Sequence, residues 1–156
     1  MTARLRDEIR QNRPFQSLEQ EAYLQVVRTA SVLSDRLERV LEPAGITLPQ
    51  YNVLRILRGS HDNGGLCRND LRERMLTRMP DVTRLLDRLE AAGYVRRTRD
   101  TEDRRMVNTF ITEDGLELLA SVEGAVADEH ARAFGHVGKG RLKTLIDLLE
   151  EVRQDE

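Results

Sequence analysis

The chain has 156 residues, of which 39% are hydrophobic and 33% charged, with a formal net charge of −2. That size and balance suit a single soluble helical domain with a core of its own. Its one cysteine, Cys67, excludes an internal disulfide and a cysteine-rich zinc site. No apolar run approaches membrane-spanning length, and residues 1–8 lack the apolar centre of a secretory leader, so a cytoplasmic location is expected.

Residues 1–16 are polar, contain Pro14 and read as an arm or short helix. Ser17 followed by Gln20 has the spacing of a capping box and opens the first long helix. Leu18, Ala22, Val26, Ala30, Leu33, Leu37 and Leu41 form one stripe along it, and Pro43 and Gly45 end it. A second helix opens at Thr47, with Pro49 in its first turn, Gln50 three residues after the cap, and an apolar face of Tyr51, Val53, Leu54, Ile56 and Leu57. The run His61-Asp62-Asn63-Gly64-Gly65 is a loop. A short third helix is expected over roughly 67–76, with Leu71 and Met75 inward. Thr77 to Pro80 makes a tight connection to a fourth helix, which buries Val82, Leu85, Leu86 and Leu89 and stops at Gly93.

Two strand-like pieces follow, Tyr94 to Thr98 and Met106 to Ile111, in which β-branched and aromatic residues alternate with polar ones. They read as a hairpin with a long charged tip from Arg99 to Arg105. Thr112 is placed to cap a fifth helix, with Glu113 and Asp114 in the first turn where the helix dipole favours acids. Its stripe is Leu118, Leu119, Val122, Val126 and Ala133, and Gly135 to Gly138 breaks it. The last helix carries Leu142, Leu145, Ile146, Leu149 and Val152. Four helices, a hairpin and two helices describe a mainly α fold with a small β-hairpin wing, a winged helix-turn-helix. The organisation expected is an N-terminal arm and dimerisation helix over 1–45, a DNA-binding lobe over 46–111, and C-terminal dimerisation helices over 112–156, all in one intertwined domain.

The overall charge hides a segregation. Residues 1–66 carry a balance of +1, residues 67–105 of +3 and residues 106–156 of −6. A positive middle and an acidic end fit a DNA-facing element on a remote scaffold, although an excess of this size over 39 residues is also what ordinary scatter gives. Every positive side chain before Lys139 is arginine, whose planar guanidinium grips phosphate and guanine edges in two-pronged fashion, although codon bias in a GC-rich genome gives the same composition. On the fourth helix, Thr77, Arg78, Asp81, Thr83, Arg84 and Arg88 lie off the apolar face, mostly towards its start, where a recognition helix meets base edges. Arg84 is the candidate for guanine, and Thr83 for phosphate or a thymine methyl. Asp81 sits awkwardly near phosphates; it either accepts from cytosine or orients Arg84. The same residues also describe a solvated face laced with ion pairs such as Asp81 with Arg84. In the hairpin tip, Arg99, Asp103, Arg104 and Arg105 are candidates for the minor groove, with a carboxylate such as Asp103 holding an arginine in a defined pose. A self-neutralising surface loop is the alternative.

The run from Gly93 to Arg105, followed by Ile111-Thr112-Glu113-Asp114-Gly115, resembles the wing signature of the MarR family. Val82 to Glu90 resembles its recognition helix, and Leu48 to Leu57 its second helix. The resemblance in element order runs from about residue 17 to 153. It implies an obligate homodimer held by the first, fifth and sixth helices, with two recognition helices meeting a double-stranded inverted repeat. It implies that Asp103 braces Arg105, that Arg105 enters the minor groove, and that Arg104 adds a phosphate or groove contact. It further implies a repressor released from its operator by a small phenolic or anionic effector. The apolar stripes of the first and last helices point to a dimer independently, since one small lobe is too small to bury both; the alternative is that they pack on each other within one chain.

Tyr51 and Arg55 on the second helix are candidates for lining an effector pocket, beside the plainer reading of a core tyrosine and a surface arginine. Cys67 lies at a helix start and reads as a plain small residue rather than a redox sensor. His61, His130 and His136 are not at metal-ligand spacings, so no metal is expected. There is no phosphate-binding glycine loop, nucleophile elbow or positioned base, so neither a cofactor nor an enzyme is expected. A winged-helix protein-interaction module without DNA binding is the rival function. Such a module has no use for a basic wing and recognition helix, so Arg84, Arg104 and Arg105 discriminate the two.

Overall fold

The computed structural model describes residues 5–78, 81–103 and 105–154. Internal contacts divide the chain into two compact units, residues 1–36 and residues 37–156.

The first unit holds α1 (Leu5–Glu8) and most of α2 (Leu18–Leu41). Arg6 closes the polar turn after α1 by donating to the carbonyls of Gln11 (3.1 Å) and Asn12 (2.8 Å). The start of α2 is as the Ser17 signal predicts, with the Gln20 amide donating to Ser17 Oγ at 3.2 Å. The reciprocal arm is displaced by one residue, because Gln20 Oε1 takes the amide of Gln16 rather than that of Ser17. Leu18, Tyr23, Val26 and Val27 remain exposed along α2.

The second unit begins in the last turns of α2, which pass through a 3-10 turn (Glu42–Ala44) to Gly45 at φ +71°. α3 (Leu48–Gly59) opens with a complete capping box between Thr47 and Gln50, as the spacing predicts. β1 (Leu66–Cys67), α4 (Arg68–Arg74) and α5 (Val82–Ala91) follow, then β2 (Val95–Arg99), β3 (Val107–Ile111), α6 (Glu113–Phe134) and α7 (Lys139–Arg153). The wing is thus a three-stranded antiparallel sheet in the order β1-β3-β2, not a bare hairpin. The two residues of β1 carry too short a pattern to be read as a strand. They pair because Gly65, at φ +75°, lets the chain pass close over Thr109 and the Phe110 ring. α4 is shorter than expected, since Met75 is already extended at its C-cap.

One apolar cluster unites α3, α4, α5, the sheet and the start of α6 around Val53, Leu54, Leu57, Leu71, Leu89 and Leu119. A second joins Leu41, Ile46, Val122 and Val126. With few aromatic residues available, branched aliphatics fill both, and each fully buried one contributes about 1.5–3 kcal/mol. On α7 no residue is buried, and Ile146, Leu148 and Val152 face outward. Among the described residues no helix is long and apolar enough to cross a membrane.

Candidate nucleic-acid interface

α5 owes its orientation to amphipathicity. Val82, Leu85, Leu86 and Leu89 are buried in the larger cluster, which leaves Thr83, Arg84, Asp87 and Arg88 exposed on the opposite side. Its N-cap is Asp81, whose Oδ1 accepts the amide of Arg84 at 2.9 Å. The carboxylate therefore engages the main chain of Arg84, and among the described residues no ion pair joins it to the Arg84 guanidinium. Capping is the task that explains an acid at this position. Thr77 and Arg78 are exposed in the turn before α5, while Met79 and Pro80 lie outside the described residues.

α4 and α5 are held at fixed separation by polar as well as apolar contacts. Cys67 caps α4, with Sγ accepting the Asp70 amide at 3.5 Å. Arg68 donates to Thr83 Oγ1 at 3.3 Å, tying the start of α4 to the first turn of α5. Arg74 donates to the buried Ser60 hydroxyl at 3.1 Å and anchors the far end of α4 on α3.

Arg97 on β2 fastens the wing to α5. Its Nε and Nη2 both donate to Glu90 Oε2, at 2.9 and 2.6 Å, and its amide donates to Glu90 Oε1 at 2.9 Å. Nη2 also lies 2.6 Å from Asp87 Oδ1. The hydrogen bonds from Arg97 hold the Glu90 carboxyl below its ordinary pKa, and the two acids raise that of Arg97. The neighbouring Arg96 stacks its guanidinium over the Phe110 ring at 4.5 Å. The sequence pattern did not single out Arg97, Glu90 or Asp87. The three-residue helical step from Asp87 to Glu90 puts both acids near one side of α5, but the fold alone brings β2 against them.

The wing tip is built on carboxylates. Asp100 Oδ1 accepts the amides of Glu102 and Asp103, and Oδ2 accepts Asn108 Nδ2. Asp103 Oδ1 accepts the Arg105 amide at 3.0 Å. The contact reaches the main chain of Arg105, and among the described residues no ion pair joins Asp103 to its guanidinium. Arg104, the remaining tip candidate, lies outside the described residues. Between wing and helices runs a cleft of about 520 Å³ lined by Arg68, Thr83, Leu86, Arg97 and Arg105.

The resulting surface carries Arg84, Arg88, Arg99 and Arg105, all exposed and none in a described ion pair. Asp81, Asp87, Glu90, Asp100 and Asp103 each accept from a donor of the protein itself. Their charges remain, but their acceptor capacity is directed inward. Such a surface can donate to phosphates and guanine edges. Tyr51 and Arg55 lie elsewhere, on α3. Tyr51 is half-buried against both apolar clusters, and Arg55 is exposed and donates to Asn52 Oδ1 at 3.2 Å. No group of three or more His, Cys, Asp or Glu able to hold a metal ion occurs among the described residues.

A family model described as "MarR family" matches residues 46–107. The HTH-type transcriptional regulator FarR of Neisseria gonorrhoeae is 31% identical over 92% of this chain and 96% of its own length. The crystal structure of a MarR transcription factor from Planctomyces limnophilus is 40% identical, with a TM-score of 0.67 over 88% of this chain and 98% of that one. NadR, solved in complex with 4-hydroxyphenylacetate, is 28% identical, with a TM-score of 0.71 over 92% of this chain and all of its own.

Proposed function

Because the chain belongs to the MarR family of DNA-binding transcriptional regulators, we propose that it binds a pseudo-palindromic operator as a homodimer and represses transcription from it. In this reading α5 lies in the major groove, with Thr77, Arg78, Thr83, Arg84 and Arg88 at bases and phosphates and Asp81 as the cap that holds its first turn. The wing tip, with Arg99, Arg104 and Arg105, reaches the adjacent minor groove, and Asp103 fixes the departure of Arg105. Residues 46–111 form the DNA-binding lobe, and the segments before and after it carry the dimer contacts. Two copies double the phosphate contacts of a modest basic surface and set the half-sites about 34–36 Å apart.

The observation that carries the proposal is the pairing of Arg97 with Glu90 and Asp87. It joins helix and wing into one body, absorbs two acids of that surface, and leaves the outward arginines to a polyanion. A small phenolic or anionic effector releases the DNA, with Tyr51 and Arg55 as candidate lining residues. That element is supported by the 4-hydroxyphenylacetate bound in NadR. The protein is not an enzyme and works in the cytoplasm, a reading supported by relatives that are themselves regulators.

The test is a gel-shift titration of the full chain against its own upstream intergenic DNA at fixed salt. Arg105→Ala is expected to weaken specific binding strongly with the oligomeric state unchanged. Arg84→Ala should cost about 1–3 kcal/mol and relax preference at one base position. Wild-type affinity in both variants would remove helix and wing from the interface. A panel of phenolic acids added to the same assay tests release.

A further inference from the structure

Among the described residues of the wing tip, no side chain from Thr101 to Met106 is buried. Thr101, Glu102, Asp103, Arg105 and Met106 are all exposed, so hydrogen bonds must order the tip. Two are main-chain closures, from the Asp100 amide to the Met106 carbonyl and from the Met106 amide to the Asp103 carbonyl, both 2.9 Å. Three converge on a single carboxylate. Asp100 Oδ1 takes the amides of Glu102 at 2.8 Å and Asp103 at 3.1 Å, and Oδ2 takes Asn108 Nδ2 at 2.9 Å. Asp103, placed by this turn, then receives the Arg105 amide.

We propose that Asp100 is the positioning residue of the wing, folding the tip before DNA arrives so that Arg105 leaves the hairpin in one direction. The proposal rests on the reading that the wing enters a groove. It assigns the organising role to an acid that, among the described residues, touches no arginine, and that the charge pattern hides among five acidic and basic neighbours. Ordering the tip in the free protein removes that entropy cost from the binding step. The converging amides hold the Asp100 carboxyl below its ordinary pKa, so the arrangement persists at neutral and mildly acidic pH. An asparagine at this position retains the two-amide acceptor. Asn108 can turn its side-chain amide over to accept from it, so the conservative change is tolerated.

The experiment titrates the upstream intergenic duplex and a random duplex across a salt series, with Asp100→Ala, Asp100→Asn, Arg105→Ala and the double alanine variant. Asp100→Ala should lose about ten-fold in specific affinity, with random-duplex binding and thermal midpoint nearly unchanged. Amides 102 and 103 should lose hydrogen-exchange protection in the same variant. Asp100→Asn should stay close to wild type. The double variant should bind no worse than Arg105→Ala, because Asp100 acts through that arginine. Wild-type binding by Asp100→Ala alongside an impaired Arg105→Ala would overturn the positioning role alone, as would multiplicative losses in the double variant. Wild-type binding by Arg105→Ala would overturn the wing reading and this inference together.

Discussion

Two glycines of α6 illustrate how one residue type carries opposite constraints. A Cβ on Gly115 would stand 2.4 Å from the Tyr94 carbonyl oxygen and 2.7 Å from Ile111 Cγ1. The helix start is pressed there against the strand end, where Thr112 donates its hydroxyl to the Gly93 carbonyl at 2.6 Å and caps the Gly115 amide at 3.2 Å. A Cβ on Gly124 would meet nothing within 4 Å. Gly115→Ala is therefore expected to lower stability by about 1–3 kcal/mol through overpacking. Gly124→Ala should raise it by about 0.5–1 kcal/mol through helix propensity. Denaturant midpoints of the two variants check both signs. Glu129 presents a different constraint: its residue is buried, Oε2 pairs with Arg132 at 2.5 Å, and Oε1 has no partner among the described residues. An orphaned carboxylate oxygen costs desolvation, so Glu129→Met is expected to be neutral or stabilising by up to about 2 kcal/mol, read by the same denaturation.

At the level of elements, the decisive junction is between β2 and α5. Apolar packing of Val95 and Leu89 in the larger cluster brings them together, and Arg97 with Glu90 and Asp87 sets their polar alignment. Glu90 has its carboxyl pKa depressed by Arg97. A depressed carboxylate contributes stability that is present above its unfolded value and lost as pH falls through its folded value. The clamp should consequently hold at neutral pH and loosen only below the ordinary carboxylate range. Glu90→Gln should remove that acid dependence. It is expected to cost about 1 kcal/mol, since both partners are partly solvated and the pair is screened. Exchange of the Arg97 amide, which bonds to Glu90 Oε1, reports the loosening directly.

For the molecule as a whole, the uncovered apolar faces govern the prediction. Within the second unit, Ile146 is 53% and Leu148 54% exposed on α7, and Val152 73%. A stable two-fold interface must bury about 1,000 Å² or more, and exposed apolar side chains clustered on one helix are the usual material for one. The double change Ile146→Glu and Leu148→Glu is expected to give a folded monomer by light scattering, with operator affinity reduced at least a hundred-fold as half the contacts are lost. A variant that remains dimeric would move the interface elsewhere.

Local signals carried most of the fold. The Thr47–Gln50 box, the Thr112 cap, Gly93 as a stop and the apolar period of α5 are each written within a few residues, because capping, turn conformation and amphipathicity act over one or two helical turns. The MarR resemblance was legible for the same reason, in contiguous runs along the wing and recognition helix. The pairing of β1 with β3, the contact of Arg68 with Thr83, and the clamp of Arg97 on Glu90 and Asp87 were decided only by tertiary structure. So was the fate of the acids: Asp81 became a cap and Asp100 the centre of a turn. A charge in a sequence has a sign but no partner, and the partner is chosen by which elements the apolar core draws together.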